Sequence, residues 1–259
     1  MDQNHRRYPH HHRHRIAYLI SDKILLRLNK KRYMQDKDLL KETLKKYKKE
    51  NYQIMSWSEY AEELNKLTNK VIDYVTKNNL TVDVVVPILR GGNIPATYIA
   101  YALNVLTITP VQYKYFFVPG KCELRRLQSI NKDSITKSNP TILLIEGNHC
   151  YGNQAKYAAH DLKEAYPNSR IIYGASNMDY KYQDVVKDAE VSLYGNLTNC
   201  CKELTDQECE GLGIEYKKEL IFPWEKIDEE WDIVELKQHK YSNVSELQSI
   251  SPLVAEYPL

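Results

Sequence analysis

Hydrophobic and polar positions along this chain fall into alternating helical and strand-like segments. Trp57, Tyr60, Leu64, Leu67, Val71, Ile72 and Val75 recur three or four residues apart. That is the spacing of one face of an amphipathic helix, and it predicts a helix over 56–78 that Ser56 or Ser58 can cap. Next comes Val82-Asp83-Val84-Val85-Val86-Pro87-Ile88, a short β-branched run of the kind found in strands buried on both faces. Gly91 and Gly92 break it, and an apolar helix over 94–103 follows, with Pro95 tolerable in its first turn. The same order returns later: a buried strand at 141–145 (TILLI), a polar turn over 146–152, a helix over 154–166 closed by Pro167, a strand at 170–175 and a further one near 189–193. Strand, glycine-bearing turn, helix, strand is a βαβ series, which predicts an α/β fold with a parallel sheet and helices on its faces.

Outside this series the pattern is weaker. Residues 1–15 read as a tail. Residues 16–50 are charged, with patchy leucines (Leu25, Leu26, Leu28, Leu39, Leu40, Leu44), and read as partly helical. Residues 114–140 are polar and basic with little periodicity, and a connection of that length in a compact domain is usually functional or disordered. From 237 onward the chain reads as a tail. The expected organisation is a basic N-terminal extension over 1–50, a main domain over 51–236 and a C-terminal tail over 237–259.

Composition adds boundaries. With 259 residues, 42% hydrophobic and 27% charged, the chain can bury an ordinary core. No run approaches 18 apolar residues, so no membrane span is expected. The N-terminal stretch shows no apolar core followed by a small-residue cleavage site, so the expected location is the cytoplasm. Charge is uneven. The overall net charge is +2, but residues 1–50 carry 15 Lys and Arg against 6 Asp and Glu, which leaves the remainder at −7. A basic arm on an acidic body points to contact with nucleic acid or another polyanion; a solvated terminus is the plainer reading. His5, His10, His11, His12 and His14 cluster there without further metal ligands nearby. Of five cysteines, Cys200, Cys201 and Cys209 lack CxxC spacing and a nearby histidine, so they read, with Cys122 and Cys150, as thiols and not as a zinc site.

Ligands of parallel α/β sheets bind outside the carboxyl ends of the strands. Two turns fall there. In Leu89-Arg90-Gly91-Gly92, adjacent glycines let backbone N–H groups face an anion, the following helix adds its positive end, and Arg90 brings a fork of donors. The second turn, Glu146-Gly147-Asn148-His149-Cys150-Tyr151-Gly152-Asn153-Gln154, offers amides, one carboxylate and neutral donors suited to a phosphate or sugar hydroxyls.

These residues carry a resemblance. The stretch from Met55 to Leu103, with Ser56-Trp57, Glu59-Tyr60 and Arg90-Gly91-Gly92-Asn93-Ile94-Pro95-Ala96, resembles the opening of type I phosphoribosyltransferases, above all the xanthine-guanine and hypoxanthine salvage branch. A hood loop at 114–140, the TILLI strand with an acid after it, and Phe222-Pro223-Trp224-Glu225 continue the likeness to about residue 232. The resemblance implies a type I phosphoribosyltransferase fold with a small hood. It also implies transfer of ribose 5-phosphate from phosphoribosyl pyrophosphate (PRPP) to a nucleobase, most simply a purine, with magnesium carried by PRPP, and a tendency to dimers or tetramers. By the same resemblance, Leu89 to Gly92 bind pyrophosphate, and Glu146, Gly147, Cys150, Tyr151, Gly152, Asn153 and Gln154 hold the ribose 5-phosphate. Glu146 would reach the metal, and Asn177, Lys181, Leu220 and Ile221 would lie at the base. The second signature departs from the family. Gly147 stands where a second acid belongs, Cys150 where the general-base Asp belongs, and Tyr151 and Gln154 replace two threonines. His149 or Cys150 could stand in as the base, with Glu146 completing the catalytic set; the alternatives are that both are ordinary loop residues and that the protein binds without turnover.

Overall fold

The computed structural model describes residues 52–118 and 121–225. The extension over 1–50, its histidine cluster and the tail from 237 lie outside these residues. The main body is a six-stranded sheet. In chain order its strands are β2 (Val84–Leu89), β3 (Val111–Val118), β4 (Lys121–Gln128), β5 (Thr141–His149), β6 (Arg170–Asp179) and β7 (Val191–Thr198). Across the sheet they run β4-β3-β2-β5-β6-β7, parallel throughout except for the β3–β4 hairpin at one edge. The α/β class expected from the βαβ pattern is therefore the observed one.

Alternation within the strands explains the layers. Val84, Val86, Ile88, Ile142 and Leu144 face α3 (Asn153–Ala165), which returns Ala155, Ala158, Ala159 and Leu162. Val85, Leu143, Ile145 and Ile172 face α1 (Trp57–Lys77) and α2 (Asn93–Ala102), which bring Leu67, Val71, Ala96, Ile99 and Ala100. With both faces covered, central strands must be apolar at every position, as the sequence shows. Ser56 settles the cap of α1: its hydroxyl accepts from the Glu59 amide at 3.2 Å, while the Ser56 amide donates to the Glu59 carboxylate at 2.7 Å. This is a reciprocal capping box.

A second, smaller unit joins the ends of the described chain. β1 (Tyr52–Ile54) pairs in parallel with β8 (Glu219–Ile221), and Met55, Tyr60, Leu64, Tyr216, Leu220 and Phe222 pack beneath them. Phe222 stacks on Trp224 at 4.9 Å, and Tyr60 meets both rings edge-on.

Two sequence expectations are revised. The polar stretch from 114 is in large part the β3–β4 hairpin, tied to α3 where Tyr113 (2.6 Å) and Arg126 (2.7 Å) both donate to Asp161. The strand beginning at Thr141 does not end at Ile145 either. Asn148 and His149 pair in register with Asn177 and Met178 of β6, so β5 runs through most of what reads as a turn.

Candidate active site

The carboxyl ends of β2 and β5 lie side by side, and the turn after β2 touches β5 itself at Gly147. A Cβ built on Gly147 would lie 2.8 Å from the Gly91 carbonyl carbon and oxygen, distances that side-chain carbons essentially never show. The residue replacing the family's second acid thus sits where the backbone leaves no space for any side chain. At Gly92 a Cβ would meet the Ile145 carbonyl oxygen at 2.3 Å and the Ile88 oxygen at 2.7 Å. Its amide is already spent on Ile88 O at 3.0 Å, and the Asn93 amide on Arg90 O at 3.1 Å. Gly92 therefore serves close packing against β5. Of the glycine amides of this turn only that of Gly91 makes no backbone hydrogen bond among the described residues, and Arg90 beside it is exposed. The Leu89–Arg90 peptide bond is cis.

The second turn is reduced to Cys150-Tyr151-Gly152 ahead of α3. Gly152 has φ +69° and provides no side-chain cap, so the first amides of α3, at Asn153 and Gln154, lack partners within the helix. The inner side of the turn is filled. A Cβ on Gly152 would lie 2.4 Å from Cε1 of His149 and 2.6 Å from Val185.

His149 is fully buried, and both of its ring nitrogens are engaged. Nδ1 lies 2.8 Å from the Tyr173 hydroxyl, and Nε2 lies 3.0 Å from the Tyr182 carbonyl oxygen. The Tyr173 hydroxyl lies in turn 2.8 Å from the Glu146 carboxyl. Hydrogen counting limits this relay. A carbonyl cannot donate, so Nε2 carries a hydrogen, and Tyr173 brings only one. If Glu146 is ionised, His149 must be doubly protonated; if Glu146 takes up the proton, His149 is neutral. Burial favours the neutral pair: desolvation pushes Glu146 up to about 7 and His149 down to about 4. The geometry thus gives His149 the work of holding a turn closed and not that of an exposed base. Glu146, only 8% exposed, faces Tyr173 and not an open ribose site.

Magnesium can be weighed on the same residues. Gly147 has no carboxylate and no room for one, and the Glu146 carboxyl is inside the protein. These residues do not build a magnesium site of their own, and any magnesium arriving with PRPP would be held by the ligand's oxygens.

The base-side candidates scatter. Asn177 is fully buried and donates to Glu63 at 2.7 Å; Asn196 donates to the other oxygen of the same carboxylate at 2.8 Å. Burial pushes Glu63 up to about 7. Two side-chain oxygens, Asn148 Oδ1 and Asn177 Oδ1, are buried without a hydrogen-bond partner among the described residues, on strand positions in register with each other. Lys181 is exposed just beyond β6, whereas Leu220 and Ile221 are buried against the aromatic unit.

Cys150 is drawn to a different neighbourhood. Its sulfur accepts from the Asn148 side-chain amide at 3.5 Å and neighbours Cys200 and Cys201, which follow β7. The spacing rules for cysteines could not show this, because the partners come from two strand ends. Tyr173, Glu63 and Asp179 were likewise missed. A lone Tyr or acid inside or flanking an apolar run carries no periodic signal; strand register brings Tyr173 and Asp179 to their partners, and the packing of α1 on β6 and β7 brings Glu63 to Asn177 and Asn196.

No family model matches this sequence and no curated protein is similar to it. Solved structures do resemble it in fold. A purine phosphoribosyltransferase from Pyrococcus horikoshii Ot3 is 15% identical, with a TM-score of 0.47 over 68% of this chain and 95% of that one. A hypothetical protein from Neisseria gonorrhoeae with bound ppGpp gives 14% and 0.49 over 72% and 97%. The xanthine-guanine-hypoxanthine phosphoribosyltransferase of Helicobacter pylori gives 12% and 0.45 over 73% and 98%. At such identities the likeness is one of fold alone, and in that sense the chain is structurally similar to purine phosphoribosyltransferases.

Proposed function

We propose that this chain is a phosphoribosyltransferase-like protein that binds PRPP in the crevice between Arg90-Gly91 and the start of α3, and transfers its ribose 5-phosphate to a purine-class nucleobase with release of pyrophosphate. The observation that supports this most is the direct contact between Gly91 and Gly147. It sets the arginine-bearing turn after β2 against β5, the strand whose next turn leads into the uncapped start of α3. A doubly phosphorylated sugar offers one anionic group to each.

In this reading the Arg90 side chain, with the Gly91 amide, stabilises the charge that develops on departing pyrophosphate, the largest contribution in this type of chemistry. The Asn153 and Gln154 amides hold the 5-phosphate and orient the sugar. His149 and Glu146 shape the turn from inside. The reaction then proceeds without an assisting base, which costs about 10²–10⁴-fold in rate relative to a base-assisted enzyme.

One set of observations favours a second reading, binding without turnover: Glu146 and His149 are both buried and hydrogen-bonded to Tyr173. Incubation of the full chain with PRPP, magnesium and each common nucleobase, followed by pyrophosphate release, separates the two. Slow release that depends on one base supports transfer. Binding of PRPP without release under any base supports the second reading, and absence of PRPP binding refutes both.

A further inference from the structure

Four side chains that the proposed transfer does not need converge beside the crevice. Asp179 closes β6, Cys200 and Cys201 follow β7, and Cys150 follows β5, so three neighbouring parallel strands end on one spot. Ligand atoms of Asp179, Cys200 and Cys201 all lie within 4.8 Å of one another. The Cys200 and Cys201 sulfurs are 4.0 Å apart, and Cys200 Sγ is 3.4 Å from Asp179 Oδ2. Cys150 neighbours both cysteines but lies outside this group of three, its sulfur accepting from the Asn148 side-chain amide at 3.5 Å. A tetrahedral zinc ion, bonded at about 2.3 Å to sulfur and about 2.1 Å to oxygen, sets its ligand atoms roughly 3.6–3.8 Å apart. The observed separations bracket that value.

Burial adds an independent reason. Asp179 is fully buried and Cys200 is 7% exposed. The Asp179 carboxylate is met by the backbone amides of Cys201 (2.8 Å) and Lys181 (2.9 Å) and by the Cys200 thiol. No ion pair among the described residues involves it. Buried carboxylates are ordinarily paired with a cation or bound to a metal. Three sulfurs with one oxygen form a soft donor set, suited to zinc and unlike the all-oxygen sets of magnesium.

We propose that Cys200, Cys201 and Asp179 form a site for one thiophilic divalent cation of the zinc class, and that the neighbouring Cys150 moves in as its fourth ligand. On binding, each cysteine sulfur bonds the metal and releases its thiol proton to solvent, with no change of oxidation state. The cation pins the turn ahead of α3 to the ends of β6 and β7, and so fixes the residue that replaces the family's general base. This assignment is independent of the transferase reading.

The test uses the full chain, reduced, stripped with chelator and titrated with cobalt(II) as a spectroscopic probe, and then with zinc in competition. One cobalt per chain should produce a thiolate-to-cobalt charge-transfer band that zinc abolishes; the N-terminal histidines can bind cobalt but cannot produce that band. Cys200→Ser should weaken the metal by more than about 100-fold, since even loss of outer-shell partners costs about 10–100-fold. The half-buried Cys150→Ser and Cys201→Ser should do the same while disturbing the interior less, and Cys209→Ala should leave the band intact. A missing band in the native chain, or one that survives all three serine variants, overturns the proposal.

Discussion

The two turns at the crevice are built on opposite principles. The turn at 90–92 is made of backbone: its glycines are fixed by close approach to Ile88, Ile145 and Gly147, and its one long side chain, Arg90, is exposed. The end of β5 with the turn at 150–152 is made of side chains pulled inward, with Glu146 and His149 bonded to Tyr173 and the His149 ring filling the space beneath Gly152. A turn fixed by its own backbone keeps its anion-facing shape whatever surrounds it. A turn fixed by distant side chains depends on their protonation and packing. On the proposed function, this contrast would let the first turn hold pyrophosphate although the second departs from the phosphoribosyltransferase pattern.

Restoring the family's acid would break the comparison most severely. Gly147→Asp places a Cβ 2.8 Å from the Gly91 carbonyl group and adds an unpaired charge in a buried position. Chemical denaturation should show a loss of about 3–5 kcal/mol, without gain of transferase activity. A variant as stable as the native chain would show that the turn after β2 does not touch β5 as described.

The relay gives the next effect. The folded-state value of Glu146 is raised from 4.5 to about 7 by burial. Its contribution to stability is therefore complete below about pH 4.5 and is lost as pH rises towards 7. Glu146→Gln, which mimics the protonated acid, should match the native chain near pH 5 and exceed it at pH 8 by up to about 3 kcal/mol. His149 titrates in the opposite sense. Held down at about 4 from 6.5, it withdraws stability as pH falls across that interval. Equal stability differences between variant and native chain at both pH values would remove the buried proton from the account. Removing the hydroxyl in Tyr173→Phe should cost about 1–3 kcal/mol, read by the same denaturation, because Glu146 and His149 then face each other across a gap. The smallest effect lies away from the crevice. Ser56→Ala should cost about 1 kcal/mol by loss of the α1 cap.

The same contrast decides what could be read from sequence. The strands at 84–89 and 141–145, the helices and the first turn announce themselves because period, glycine and proline act locally. The continuation of β5 to His149 was hidden because its polar residues Glu146 and His149 find partners beyond β5, on Tyr173 in β6 and at the Tyr182 carbonyl. The cysteine cluster was hidden for the same reason, since Cys150 lies 50 residues before Cys200 and no spacing rule joins them. The basic and polar stretch after Lys114 misleads in the other direction. Its hairpin is anchored by Tyr113 and Arg126 on Asp161 of α3, partners far along the chain.

The central claim, that Arg90 and Gly91 form a surviving pyrophosphate grip, is tested most directly by calorimetric titration of the full chain with PRPP and magnesium, alongside Arg90→Ala. The account predicts saturable binding by the native chain and affinity lower by about 10–100-fold in the variant, the effect of losing a charged hydrogen-bond donor. No heat up to millimolar PRPP, or equal affinity in both proteins, would contradict it.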